Sequence, residues 1–334
     1  MNNLIEGYYI MLNNHVILYV KGNDHPEGKV IAFPKYVPDS HGDRSSKWNV
    51  KYKKLLTISE QLSYVKEKLP QYLTYDLYLD TKIPEIPTKD IKKIFNPIER
   101  SREILHDATD DVEKDCREFI SKLLHIANSD EIGISGSILI KLHRESSDID
   151  LVIYSSMERL WRIYNELESL RHNNVIRSID KYHLKENYML KHVETPIDFS
   201  TFKLIESKKL LDGIFNNRRY FIRLVRYPIE NNYGKTICRK LGWSVVKVEI
   251  LDDYESILTP CRYKVRVLEF LDGIRKNIVE LYSHRGRFCE LTRVSRKFIV
   301  KGIVEKVVNR DKDTQYFRLY LGYSGSFAIP IISE

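Results

Sequence analysis

Read for the spacing of its apolar positions, the chain divides into stretches with a period of two and stretches with a period near 3.6. Residues 8–12, 15–20 and 29–33 are short runs rich in aromatic and β-branched side chains, and Asn13-Asn14 sits between the first two as a hairpin turn. A β-rich segment is therefore expected over residues 1–55. The turn-forming His25-Pro26-Glu27-Gly28 and the proline-bearing 33–39 should break it, with the polar residues 40–48 as a loop. Leu62, Val65 and Leu69 share a helical face over 59–69, which must stop before Pro70. Pro84, Pro87 and Pro97 then punctuate a crossing between units.

Downstream, Val112, Cys116, Phe119, Ile120, Leu123 and Ala127 recur at three- and four-residue steps, which predicts an amphipathic helix over 110–127. A short apolar run, 132–134, leads to Gly136-Ser137. After a polar link, Asp148 and Asp150 alternate with Ile149 and Leu151 and close on Val152-Ile153-Tyr154, a strand pattern. Ser155-Ser156 can cap a helix whose apolar stripe is Met157, Leu160, Trp161, Tyr164 and Leu167. Residues 175–190 fit neither period. Residues 195–202 read as a strand bearing the lone acid Asp198. Strands are also expected at 220–226 and 243–251, and 261–271 satisfies both periods. Residues 298–308 and 315–322 suggest the closing hairpin of a small barrel or sheet.

Two aspartates at i and i+2 of a strand project from one face, roughly 6–7 Å apart. They repel unless a cation sits between them, and a hard ion such as magnesium takes carboxylate oxygens while keeping other positions for water and phosphate. A Gly-Ser turn one element earlier offers backbone N–H groups and a hydroxyl to a phosphate. Lys141 and Arg144 lie in the link where they can reach the same group. Arg219 and Arg223 flank Phe221 on one strand face, an arrangement suited to a base or a nucleic-acid strand. Arg285 and Arg287 straddle a glycine turn with geometry suited to phosphate.

Composition sharpens this picture in one respect. The net charge of +8 is unevenly spread: residues 1–200 hold 28 Lys and Arg against 31 Asp and Glu, and residues 201–334 hold 26 against 15. The positive excess lies beyond the acidic pair, which favours a polyanionic partner. At 43% apolar and 30% charged the chain is globular. It shows no signal peptide and no bilayer-length apolar run, so a cytoplasmic protein without membrane contact is expected. Cys116, Cys238, Cys261 and Cys289 are scattered without a C-x-x-C pair, as reduced thiols rather than a zinc or redox site.

Gly136-Ser137, Asp148-Ile149-Asp150 and Asp198 together resemble the motif of the DNA polymerase beta superfamily of nucleotidyltransferases. The resemblance implies that Gly136 and Ser137 bind a nucleoside triphosphate, with Lys141 and Arg144 near it. It implies that Asp148, Asp150 and Asp198 hold two magnesium ions, or manganese in their place, and that Asp198 helps to activate the acceptor. Where many members carry a glycine in the link, this chain has His143-Arg144-Glu145-Ser146-Ser147. More loosely, HPEGKVIAFPKYVPD at 25–39, YFIRLVR at 220–226 with Tyr233-Gly234, and SHRGRF at 283–288 look like a group of predicted archaeal nucleotidyltransferases.

The expected fold is α+β: a nucleotidyltransferase-type mixed sheet with helices on one side over 85–210, a β-rich N-terminal unit over 1–84, and a small, basic β-rich domain over 211–334. The implied reaction moves a nucleoside monophosphate, from ATP or another triphosphate, to a hydroxyl. The acceptor would be a nucleic-acid end met by Arg219, Arg223, Arg285 and Arg287. The alternatives are transfer to a protein or small molecule, and a non-catalytic nucleic-acid-binding module that kept the fold.

Overall fold

The computed structural model describes residues 4–45 and 49–332. It contains two compact units that interleave along the chain. Unit 1 comprises Met1–Tyr75, Lys82–Arg177 and Leu210–Asn231, and unit 2 comprises Asp76–Thr81, Ser178–Lys209 and Asn232–Glu334. The expected boundaries at 84/85 and 210/211 both fall inside unit 1.

Unit 1 opens with strands β1 (Tyr9–Leu12), β2 (Ile17–Val20), β3 (Lys29–Pro38), β4 (Arg44–Ser45) and β5 (Lys51–Lys54), then helix α1 (Ile58–Lys68). Strands β6 (Leu73–Asp76), β7 (Thr81–Pro87) and β8 (Ile91–Phe95) complete an eight-stranded sheet whose main path is β4-β5-β3-β2-β1-β8. Helix α1 starts where a capping box allows it, with Thr57 accepting from the Glu60 backbone and Glu60 accepting from that of Thr57.

The structure corrects two expectations here. Pro34 does not break β3, which runs on to Pro38, because Pro34 and Lys35 sit at an irregularity: Ile17 pairs with Tyr36 and Leu18 with Pro34, leaving Lys35 as the extra residue of a bulge. Nor do the prolines of 80–100 form a linker. Pro84 and Pro87 lie within β7, and Pro97 occupies the first turn of helix α2 (Pro97–His106), where a missing N–H costs nothing. Of the polar stretch 40–48, the last three residues lie outside the described ones.

Helix α3 (Asp111–Leu123) precedes β9 (Ile132–Ile134), the short α4 (Gly136–Leu139), β10 (Ile149–Ser155) and α5 (Met157–His172). Strands β11 (Asp212–Phe215) and β12 (Arg218–Arg226) finish a four-stranded mixed sheet in the order β11-β12-β10-β9. Strand β10 runs antiparallel to β9 and parallel to β12, with Ile149 opposite Tyr220 and Asp150 opposite Phe221. Strand β11 returns antiparallel to β12 and sets Asp212 opposite Phe221. Ile149, Leu151, Val152 and Ile153 are fully buried. On the face that carries Asp150, Val152 and Tyr154 pack against Ile5 and Val225, and the Tyr154 hydroxyl donates to the Glu6 carbonyl at 2.8 Å.

Unit 2 contains helices α6 (Lys181–Lys191) and α7 (Phe199–Glu206) and strands β13 (Thr236–Asp252), β14 (Cys261–Gly273), β15 (Ile278–Ser283), β16 (Lys297–Asn309), β17 (Thr314–Tyr320) and β18 (Phe327–Pro330). The stretch 195–202, expected as a strand, instead ends in α7, which Asp198 caps. The pairing order β13-β14-β15-β17-β16 closes on itself because β13 also pairs with β16. All these pairs are antiparallel except β15 with β17. Five strands in the order 1-2-3-5-4-1, with that one parallel pair, form the Greek-key barrel of the OB-fold. Ser326 and Gly325 lie beyond it, and β18 adds to the edge of β16. All four cysteines are buried free thiols. Among the described residues no helix is long and apolar enough to cross a membrane.

Candidate active site

The acidic pair is built by β10 and the turn before it. Asp150 lies within the strand and Asp148 one residue ahead of it, both half-buried. The Ser135 N–H donates to the Asp150 carbonyl at 2.8 Å, which stitches the Gly-Ser turn to the acid strand. Gly136 holds φ +61°, and a Cβ there would stand 2.0 Å from Oδ2 of Asp150. Glycine at this position thus serves both the left-handed backbone and the carboxylate's space. Ser137 is buried, and its hydroxyl acts on the Tyr36 phenol, partly offsetting the rise that burial imposes there. Burial pushes the Asp148 carboxyl above the ordinary range, Arg219 draws it back, and Asp150 adds to the rise.

Arg219 is central to this face. Its Nε and Nη2 reach the Asp212 carboxylate as a fork, at 3.0 and 2.7 Å, and its Nη1 lies 3.3 Å from Oδ2 of Asp148. Asp212 is only 3% exposed. Arg223 pairs with buried Glu6 at 3.3 Å and lies over the Phe221 ring at 5.3 Å. The N-terminal sheet adds two lysines. The bulge in β3 re-aims Lys35, and Lys54 stands opposite Tyr36 on β5. Both act electrostatically with Asp150, and among the described residues neither ammonium group makes a hydrogen bond or ion pair. Burial, with Lys54 beside it, pushes the Lys35 ammonium down to about 7.

The other expected site residues are placed differently. Lys141 pairs with Glu103 at 3.0 Å, and Arg144 with Asp43 at 2.8 Å. Asp198 lies in unit 2, where its carboxylate caps α7: it accepts from the Thr201 N–H at 2.9 Å, the Thr201 hydroxyl at 2.6 Å and the Ser200 hydroxyl. These bonds hold it well below the usual carboxylate range. Arg285 pairs with Glu194, and Arg287 donates to the Lys191 carbonyl and to Oγ1 of Thr195 at 2.7 Å, so this turn is braced within unit 2. Sequence reasoning missed Asp212, a lone acid in the apolar run 210–215. It also missed Lys35, which lies inside a noted motif but carries no local pattern of its own.

A second cluster lies elsewhere in unit 1. Asp110, Glu113 and His143 each offer a donor atom within 4.8 Å of the others, close enough to hold a metal ion. His143 Nε2 is 2.8 Å from Asp110, but Glu113 already accepts from Arg100 and from the N–H and hydroxyl of Thr109. Arg100 also donates to the Ile138 carbonyl at 3.1 Å. The cluster thus braces the chain between α4 and the acid strand, and an ion there would share Glu113 with the Arg100 guanidinium.

Residues 114–221, from within α3 to the middle of β12, match the family described as the nucleotidyltransferase domain. The chain carries a nucleotidyltransferase domain of the DNA polymerase beta type. Its match holds the Gly-Ser turn, both strand acids, Asp212 and Arg219, whereas Lys35 and Lys54 lie outside it. Over 330 residues the chain is 26% identical to an uncharacterized protein of Methanocaldococcus jannaschii, covering 95% of this chain and 92% of that one. The similarity therefore extends through both β-rich regions that flank the nucleotidyltransferase domain. No solved structure matches the chain.

Proposed function

We propose that this protein transfers a nucleoside monophosphate from a nucleoside triphosphate to a hydroxyl, and that the acceptor is a nucleic-acid end. The observation that carries the reading is the placing, on one face of unit 1, of the carboxylates of Asp148 and Asp150 with two ammonium groups that act on them electrostatically and, among the described residues, make no hydrogen bond or ion pair. Partly buried charges are costly unless compensated, and a triphosphate with its cation supplies both signs at once.

Asp148 and Asp150 fit a hard divalent ion, Mg2+ or Mn2+, by donor type and by their common face. Such an ion, when bound, neutralises phosphate charge and polarises the reacting phosphoryl group. The chain's own groups do the rest. Gly136 and Ser137 border the triphosphate. Lys35 and Lys54 face the charge that develops on the leaving pyrophosphate as the acceptor oxygen bonds to the α-phosphorus and the bond to the β-phosphate oxygen breaks.

The acceptor class is supported by the basic C-terminal third and by the barrel in unit 2. Arg262, Lys264 and Arg266 are exposed at alternate positions of β14, and the Arg262 guanidinium lies 5.1 Å above the Tyr282 ring on β15. Each of these cations pairs with an acid, Arg262 with Glu255, Lys264 with Asp252 and Arg266 with Glu249, and Tyr282 is buried, so the acceptor reading rests on the barrel type and on the net charge of residues 201–334. Incubation with each labelled triphosphate plus RNA, DNA and protein should label nucleic acid, and D148N or D150N should cut the incorporation by at least about a hundredfold. Equal incorporation by D148N, D150N and the native chain would end the catalytic reading, and label confined to protein would end the nucleic-acid acceptor.

A further inference from the structure

The strands that flank the acid pair carry no third carboxylate within reach of it. Continuing the β10–β12 register one step before Ile149 and Tyr220 sets Arg219 beside Asp148, and the same face of β12 continues with Phe221 and Arg223. On the other side, the Gly-Ser turn follows β9. Among the described residues of unit 1, the other acids of this face are committed. Both oxygens of Asp212 are taken by the Arg219 fork. Glu6 accepts from the Gly22 N–H at 2.7 Å and pairs with Lys21 and Arg223. Two divalent ions held roughly 3.5–4 Å apart need anionic ligands enough to offset their mutual repulsion. Two carboxylates, one of them already 3.3 Å from a guanidinium, do not provide them.

We propose that the site takes a single divalent ion on Asp148 and Asp150, and that the Arg219 guanidinium stands where a second ion would be needed. This rests on the nucleotidyl-transfer reading given above. An arginine cannot lose its charge in the working pH range, and its planar fork fixes its orientation. Asp212 is the positioning residue: it holds two donors of Arg219 and leaves Nη1 directed at Asp148. The arrangement gives a permanent positive charge that does not depend on ion concentration.

The experiment is a Mn2+ titration of the full chain with inorganic triphosphate, the part common to all four nucleotides, read by electron paramagnetic resonance. The expected result is one bound Mn2+ per chain with the spectrum of an isolated ion. Two bound ions with mutual coupling would overturn the single-ion inference and leave the nucleotidyl reading standing. No protein-bound ion would overturn both. Asp212→Asn provides the second measurement: kcat is expected to fall at least about tenfold with KM for the triphosphate and the Mn2+ stoichiometry unchanged. An unchanged kcat would remove Asp212 and its fork from the proposal.

Discussion

At the scale of single residues, Gly136 gives the sharpest expectation. Its φ of +61° and its closeness to Asp150 mean that Gly136→Ala pays for strain twice, in the backbone and against the carboxylate. A left-handed non-glycine residue costs about 1–3 kcal/mol, so thermal unfolding should shift down measurably. Mn2+ affinity should fall with it, because Asp150 must move. Native Mn2+ affinity in a stable G136A chain would show that the contact is idle. The Gly-Ser turn beside the strand that carries Asp150 was legible in the sequence because that arrangement depends on local spacing alone. Asp198 was not. Ile197, Phe199 and Thr201 imitate a strand over a short window, while the same residues spell a helix start, with Asp198 accepting from Thr201 and Phe202 and Ile205 buried behind it. Asp212 and Arg219 acquire meaning only when β11 and β12 lie side by side, which no local pattern reveals.

At the scale of elements, the β-rich flanks, α1, α3, α5 and the closing hairpin β16–β17 followed from periodicity. The failures in the N-terminal half share one cause, since proline was read as a terminator where tertiary context absorbs it at a bulge, a strand end or a helix first turn. Helix α7 is fixed in unit 2 by chemistry that periodicity cannot show. Buried Glu206 receives Lys191 at 2.7 Å and Lys209 at 2.6 Å, and Lys209 also donates to the Arg287 carbonyl. Although burial raises this carboxyl, the two ammonium groups outweigh it and hold it ionised. Glu206→Gln leaves both cations facing an amide, and loss of one partner of a buried pair costs about 3–5 kcal/mol. Urea unfolding followed by far-UV circular dichroism should show a clearly lower midpoint for E206Q, and a midpoint within error of native would mean that the triad is dispensable.

At the scale of the whole molecule, the charge distribution predicts a pH dependence. Lys35 loses its proton near pH 7 in the folded chain, through burial, Lys54 and Arg223 against the opposing pull of Asp150 and Glu60. In the unfolded chain it holds the proton to about pH 10.4. At Lys35 the unfolded state therefore binds more protons between these values, and this lysine's contribution to stability without nucleotide rises with pH across that window. Below about pH 7 both states are protonated and the contribution is flat. Lys54, also lowered by burial, contributes with the same sign, so Lys35→Met should lessen the upward slope relative to the native chain in a series of urea titrations, and an unchanged pH profile would remove Lys35 from it. The same molecule also has a history that follows from its interleaved units. Strand β10 leaves the ribosome long before β12, its parallel neighbour, because 178–209 belong to the other unit and must be made in between. At about 5–20 residues per second, the stretch from 155 to 226 takes roughly 4–14 s to synthesise. Through that interval the nascent acid strand has an unpaired edge toward β12, and no amino-terminal fragment ending before Arg226 can contain a finished nucleotidyltransferase sheet.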